Sequence, residues 1–128
     1  MGSYAAGFRA MVLLGVVANL LFALPAVFAP NAVISLVGGA PVAEPVWPAF
    51  AAWLLILLSL FYLPAAFDPF HFRAIAMLAV LARFAGVVFF TLLYPQFVLL
   101  ALIDLFFGVT QGVLLLLLRR AERTASRT

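Results

Sequence analysis

Residues 74–118 read AIAMLAVLARFAGVVFFTLLYPQFVLLALIDLFFGVTQGVLLLLL, two long apolar runs separated only by Tyr94-Pro95-Gln96. A membrane-spanning helix needs about 20 apolar residues, and each run has about that length. A connection this short makes the two helices neighbours that run in opposite directions. The stretch therefore predicts a membrane-embedded helical hairpin, in which the first helix carries Arg83 and the second carries Asp104.

The rest of the chain continues this pattern. Of its 128 residues, 69% are hydrophobic and 9% are charged, whereas soluble domains are about 45–50% apolar and about 25% charged. Two further apolar runs precede the hairpin. We therefore predict an all-α integral membrane protein with one transmembrane domain, residues 1–128, folded as a four-helix up-down bundle. The predicted spans are residues 8–29, 49–67, 74–94 and 97–118, followed by a basic tail at residues 119–128.

The arginines orient this bundle. With four spans, one side of the membrane holds both chain termini and six arginines, and the opposite side has none; the six are Arg9, Arg73, Arg119, Arg120, Arg123 and Arg127. Basic residues accumulate on the cytoplasmic side, so we predict that both termini are cytoplasmic. The chain has no lysine, which suggests a GC-rich bacterial genome. We therefore predict a multi-pass protein of the bacterial inner membrane.

The basic tail has a predicted role of its own. Arg119, Arg120, Arg123 and Arg127 directly follow the fourth span. The cytoplasmic leaflet carries anionic lipids that attract such juxtamembrane residues. We interpret the tail as a cytoplasmic lipid anchor, and docking to a partner protein is the alternative.

The connection between the first and second spans has room for structure of its own. We predict a short interfacial helix over Asn31 to Val37, ended by Gly38 and Gly39, with Val33, Ile34 and Val37 facing lipid. The favoured interpretation is a segment that spaces two spans. An outer lid over the bundle is the alternative.

Each predicted span has one polar residue at a similar depth, taking a rise of about 1.5 Å per residue. These residues are Asn19, Ser59, Arg83 and Asp104, and Gln111 shares the helix face of Asp104. Small residues at helical spacing accompany them and allow close helix packing; they are Gly15, Gly86, Gly108 and Gly112. The pattern predicts an intramembrane polar layer that faces the interior of the bundle.

Arg83 and Asp104 are the costly members of this layer, since a charge near the bilayer centre costs roughly 3 kcal/mol on insertion scales. The favoured interpretation is a structural pair that fixes helix register. The functional alternatives are an anion or head-group site at Arg83 and a proton-coupled carboxylate at Asp104. Side chains lean toward the start of their helix, so direct contact requires the arginine stem to curl back. Otherwise Asn19, Ser59 or water must bridge the two groups.

Several kinds of chemistry lack the residues they need. The chain has no cysteine, which excludes disulfides and thiolate chemistry. Its single histidine, His71, makes a poor metal site with Asp68 alone. We predict no metal site, no catalytic residue, no cofactor and, without a basic face carrying interleaved aromatic residues, no nucleic-acid partner. The 14 phenylalanines suit contact with lipid, quinone or carotenoid.

Two short motifs carry a family resemblance. The third span contains LARFAG at residues 81–86, and the fourth contains IDLFFG at residues 103–108. A four-span layout with an arginine in the third span and an acidic residue in the fourth resembles the small bacterial DoxX-like membrane proteins. The resemblance implies an accessory role beside membrane redox or respiratory proteins.

These observations leave three functional hypotheses, of which the first is favoured. It is a non-enzymatic accessory or scaffold subunit of a larger bacterial inner-membrane assembly, whose partners are membrane lipids and other membrane subunits. The second is a small oligomeric transporter or channel that uses Arg83 and Asp104. The third is a membrane enzyme that acts on a lipid or a quinone, which requires a lateral opening near Arg83.

Overall fold

The structure is a computed structural model that describes residues 2–127, and within that range it contains helices and no strands. Four helical segments are long and apolar enough to cross a membrane, namely Gly2–Phe28, Val46–Phe67, Arg73–Leu92 and Pro95–Ser126. This confirms the prediction of an all-α chain with four such helices. The individual helices are α1 (Gly2–Phe28), α2 (Pro30–Leu36), α3 (Val46–Phe61), α4 (Leu63–Phe67), α5 (Arg73–Leu92) and α6 (Val98–Ser126), with a 3₁₀ turn at Pro95–Phe97.

The second apolar segment is interrupted near its end. Helix α3 ends at Phe61, Tyr62 follows it, and α4 begins at Leu63. Pro64 has no amide hydrogen to donate, and its ring crowds the carbonyl four residues earlier. The last turn of this segment is therefore a separate short helix, whereas α6 continues without a break through most of the basic tail.

Prolines also mark the ends of the helices. Ala29, Asp68 and Tyr94 each precede a proline, and their φ angles are −138°, −141° and −138°. A proline disfavours the helical conformation in the residue before it. The chain therefore leaves the helix at these three places.

Helix α1 lies at the centre of the packing. It packs against α3, α4 and α6, and α5 packs against α6, whereas α3 and α5 do not pack closely against each other. Arg9 donates a hydrogen bond of 3.2 Å to the carbonyl oxygen of Phe67, and Arg73 forms an ion pair with Glu122. One end of the bundle, called here the terminal end, therefore holds the starts of α1 and α5 and the ends of α4 and α6.

Two apolar clusters form the core. The cluster toward the terminal end contains Phe8, Val12, Val16, Tyr62, Ala65, Ala66, Ala76, Ala79 and Leu115. The second cluster joins α1, α2 and α3 and contains Ala23, Ala26, Val33, Ala52 and Ile56. Asn19 on α1 and Ser59 on α3 lie between the two clusters along their helices. The middle of the bundle is thus where polar side chains are buried.

Helix α2 lies where the sequence predicts a short helix, and it is followed by Gly38 with φ of +100°. Only glycine adopts this conformation without steric cost. The prediction that Val33 faces lipid is wrong, because its side chain is buried in the second cluster. The reason is that α2 folds back against α1, so this face covers the bundle.

Candidate functional site

Four polar side chains from four helical segments form one hydrogen-bonded network at mid-bundle, called here the polar network. Arg83 Nη1 on α5 donates to Asp104 Oδ1 on α6 at 2.9 Å and to Asn19 Oδ1 on α1 at 3.1 Å. Asn19 Nδ2 then donates to Ser59 Oγ on α3 at 3.0 Å, and Ser59 donates to the Leu55 carbonyl oxygen at 2.9 Å. The network therefore links all four membrane-length segments through side chains.

The Arg83 side chain reaches Asp104 directly, so neither water nor a second residue has to bridge them. The guanidinium group also lies over the ring of Phe107, 5.0 Å from its centroid, within range of a cation–π interaction. Phe107 was not among the residues predicted from sequence. Its position three residues after Asp104 is the signal that could have revealed it, since residues three apart share a helix face.

The two charged groups differ in how fully they are buried. The Arg83 side chain is 8% exposed, and the Asp104 side chain is 20% exposed. Within residues 2–127, the only hydrogen bond to the carboxylate is the one from Arg83, and it goes to Oδ1. Among the described residues Oδ2 accepts no hydrogen bond and lies against Gly86, on a carboxylate that is not completely enclosed.

Gln111 lies near the polar network but does not join it. Its Nε2 donates to the carbonyl oxygen of Met11 on α1 at 3.1 Å, and the residue is 3% exposed. This bond links α6 to α1 about two helical turns nearer the terminal end than the polar network is. No buried side-chain nitrogen or oxygen lacks a hydrogen-bond partner within the described chain, so the interior polar groups are satisfied.

Three of the four predicted packing glycines surround the ion pair. A Cβ atom built on Gly15 would lie 2.7 Å from Arg83 Nη2, and one on Gly108 would lie 3.2 Å from Arg83 Cβ. A Cβ atom on Gly86 would overlap the Asp104 carboxylate. Gly112 lies farther along, where an added Cβ would make an ordinary contact with Val80 at 3.4 Å. Glycines on three helices therefore make the space that the charged side chains occupy.

A cavity reaches the polar network from one direction. This polar cavity has a volume of about 240 Å³, and its wall includes Asn19, Arg83 and Asp104. An adjoining apolar cavity of about 420 Å³ extends toward α2 and the 3₁₀ turn. The residues that line both cavities are Phe22, Leu55, Phe90 and Leu100.

The two cavities lie where α3 and α5 are not closely packed, since Leu55 comes from α3 and Phe90 from α5. Toward the terminal end, the first apolar cluster closes the bundle with side chains such as Phe8 and Ala65, both 0% exposed. The space is therefore a dead end, with apolar walls and a polar floor. Such a shape suits an apolar molecule that carries a small polar group at one end.

The remaining predicted site residues lie apart from the polar network. Arg119 Nη2 contacts the Met77 sulfur atom at 2.9 Å, near the terminal end. Arg120, Arg123 and Arg127 are exposed along the last turns of α6. Within residues 2–127, no group of three histidine, cysteine, aspartate or glutamate side chains is arranged to hold a metal ion.

Comparison with known proteins gives no match to a protein-family model, a curated protein or a solved structure. The DoxX-like resemblance therefore stays a prediction from the two short motifs. The polar network and the adjoining cavities are the observations from which a function can be argued.

Proposed function

We propose that this protein is a non-enzymatic accessory subunit of a bacterial inner-membrane assembly, in which it holds an apolar molecule beside Asp104. The dead-end cavity carries the proposal, because it combines apolar walls with a carboxylate that has one oxygen without a hydrogen bond in the described chain. The head group that fits this oxygen is a hydrogen-bond donor such as a hydroxyl. Hydroxylated lipids, quinols and hydroxylated carotenoids have this chemistry.

Two observations support a holding role over catalysis or conduction. The carboxylate at the cavity floor is already bound by Arg83, so it is a weaker candidate for a general base than a free carboxylate. A conducting pathway needs an opening on both sides of the polar layer, and the first apolar cluster closes one side.

The contacts at the terminal end support an up-down bundle with both termini in the cytoplasm. The start of α1 meets the end of α4, and the start of α5 meets the end of α6. Arg9, Arg73 and the arginines of α6 therefore gather at one end, as the positive-inside tendency favours for a cytoplasmic face. Trp47 and Trp53 lie toward the opposite end of α3, where an aromatic belt is expected.

This orientation can be tested with single cysteines, because the natural chain has none. We expect Ala43→Cys, in the exposed first connection, to react with a membrane-impermeant maleimide in intact spheroplasts. Ser126→Cys, at the end of α6, should react only after the membrane is opened. Labelling of Ser126→Cys alone in intact spheroplasts would contradict the proposed orientation.

The functional proposal is tested by gentle detergent extraction of the natively expressed protein, with mass spectrometry of both the co-purifying proteins and an organic extract. We expect stoichiometric partner proteins and one dominant apolar molecule with a hydroxyl group. Leu100→Trp, which enlarges a side chain that lines both cavities, should lose that molecule and keep the partners. Leu99→Trp is the matched control, because residue 99 is 50% exposed and lines neither cavity.

The accessory role and the role of the cavity can be contradicted independently of each other. A chain that emerges alone or as a homo-oligomer contradicts the accessory role. A wild-type extract without an apolar molecule, or one in which Leu100→Trp retains it, contradicts the role of the cavity.

A lipid- or quinone-dependent enzyme is the second candidate, since the loose packing between α3 and α5 resembles the lateral opening that it requires. Deletion of the protein should then change the cell's lipid or quinone profile in a way that Leu100→Trp, at the wall of both cavities, reproduces. An unchanged profile on deletion would remove this candidate.

A further inference from the structure

A second surface lies on the α5–α6 pair, away from the cavities beside Asp104. A groove of about 440 Å³, called here the α5–α6 groove, is lined by Phe84, Gly108, Gly112, Leu116 and Arg119, among others. Gly108 and Gly112 line the α6 side of the groove, where Phe84 and Val80 of α5 lie close to them. Leu116 is 62% exposed, so the groove faces the surroundings of the bundle.

The length of the groove matches one half of a bilayer. From Gly108 to Arg119, a helix rises about 16 Å at about 1.5 Å per residue. The hydrocarbon core of a bilayer is about 30 Å thick, so one leaflet contributes about 15 Å. One acyl chain that starts beside Arg119 would therefore run the length of the groove.

A charged pocket adjoins the groove at its end. This arginine pocket has a volume of about 340 Å³ and is lined by Arg73, Arg119, Glu122, Arg123 and Ser126. It shares Arg119 with the groove. Three arginines and one glutamate give the pocket a net charge of +2.

The arginines of this pocket are not equally compensated. Arg73 is paired with Glu122, and within the described chain no carboxylate pairs with Arg119 or Arg123. Within residues 2–127, the only hydrogen bond that the Arg119 guanidinium donates goes to the Met77 sulfur atom, which is a weak acceptor. Two guanidinium groups are therefore available for an anion at the point where the apolar groove ends.

We propose that the α5–α6 groove and the arginine pocket together bind one anionic phospholipid. Its acyl chain lies in the groove, and its phosphate accepts hydrogen bonds from Arg119 and Arg123. Charge argues against a second copy of the chain as the occupant, because a parallel copy brings its own arginines to the same end. This site is independent of the proposed function, because the groove shares no lining residue with the two cavities beside Asp104.

Native mass spectrometry of the delipidated full-length protein tests this proposal, with phosphatidylglycerol and phosphatidylcholine as the two probes. We expect one phosphatidylglycerol to bind each chain, and to bind more tightly than phosphatidylcholine. Arg119→Gln should weaken the binding of phosphatidylglycerol about fivefold, which is the expected effect of one arginine at an anionic lipid surface. Val113→Trp should weaken it at least as much, because residue 113 lines the groove.

Two matched variants separate a built site from general attraction to the basic tail. Arg127→Gln removes a tail arginine that lines neither the groove nor the pocket, and Val88→Trp enlarges a side chain that is 55% exposed and lines neither. Both should bind phosphatidylglycerol as the wild type does. An equal loss in Arg127→Gln and Arg119→Gln overturns the proposal, as does equal binding of the two lipids or unchanged binding in Val113→Trp.

Discussion

Arg83→Met and Asp104→Asn are each expected to destabilise the protein more than the double replacement does. Either single change leaves one partner buried without its counterion, which costs about 3–5 kcal/mol for a buried pair. The double variant removes both charges and keeps approximate side-chain volumes, so it should recover much of that loss. If the pair served only a ligand, neither single change would strongly affect folding.

The measurement is a double-mutant cycle on the free energy of unfolding in detergent. Reversible denaturation with sodium dodecyl sulfate gives the free energy of each variant. Coupled charges give an interaction energy that is the difference between the double variant and the sum of the singles. Thr91→Val, on the exposed surface of α5, controls for general effects of substitution in the membrane segments. Additive effects, or a double variant that is the least stable, would contradict the assignment of a structural pair.

Gly86→Ala should destabilise the protein, whereas Gly112→Ala should be neutral or stabilising. Both changes gain about 1 kcal/mol of intrinsic helix propensity, so their difference reports on the surroundings. A Cβ atom at residue 86 would overlap the Asp104 carboxylate, and the nearest atom to one at residue 112 is Val80 Cγ1 at 3.4 Å. Overpacking usually costs about 1–3 kcal/mol, so we expect Gly86→Ala to be less stable than Gly112→Ala by about that amount.

The same denaturation assay measures this difference. In Gly86→Ala the carboxylate must move away from α5, so the Arg83–Asp104 hydrogen bond should lengthen or break. Equal stability of the two alanine variants would show that α5 and α6 separate easily, and that the glycine is not required for the pair.

Much of the fold follows from the sequence because hydropathy and proline position act locally. Four apolar runs give four membrane-length helices, and the residues before Pro30, Pro69 and Pro95 leave the helix as expected. The members of the polar network could also be predicted from the sequence, because each span has one polar residue at a matching depth and few other polar residues are near enough to bind it. Asn19, Ser59, Arg83 and Asp104 do come together in the structure.

Other features depend on distances between helices, which periodicity does not determine. The helix face of Gln111 was predictable, but its hydrogen-bond partner is the carbonyl oxygen of Met11. Because every helical residue has a carbonyl oxygen, the sequence does not indicate which one Gln111 binds. The burial of Val33 depends on the angle at which α2 returns to α1. The cavities lie where α3 and α5 do not pack closely against each other, and the composition of either helix gives no sign of that gap.

The spacing of the polar network along the chain has a consequence for biogenesis. Asn19 precedes Arg83 by 64 residues, whereas Asp104 follows it by 21. When α5 emerges from the ribosome and reaches the translocon, its arginine has an amide partner in the membrane but no counterion. A lone arginine costs roughly 3 kcal/mol to insert. We therefore expect α5 to stay at the translocon until α6 has also been synthesised. The last two helices should then enter the lipid together, as one unit of insertion.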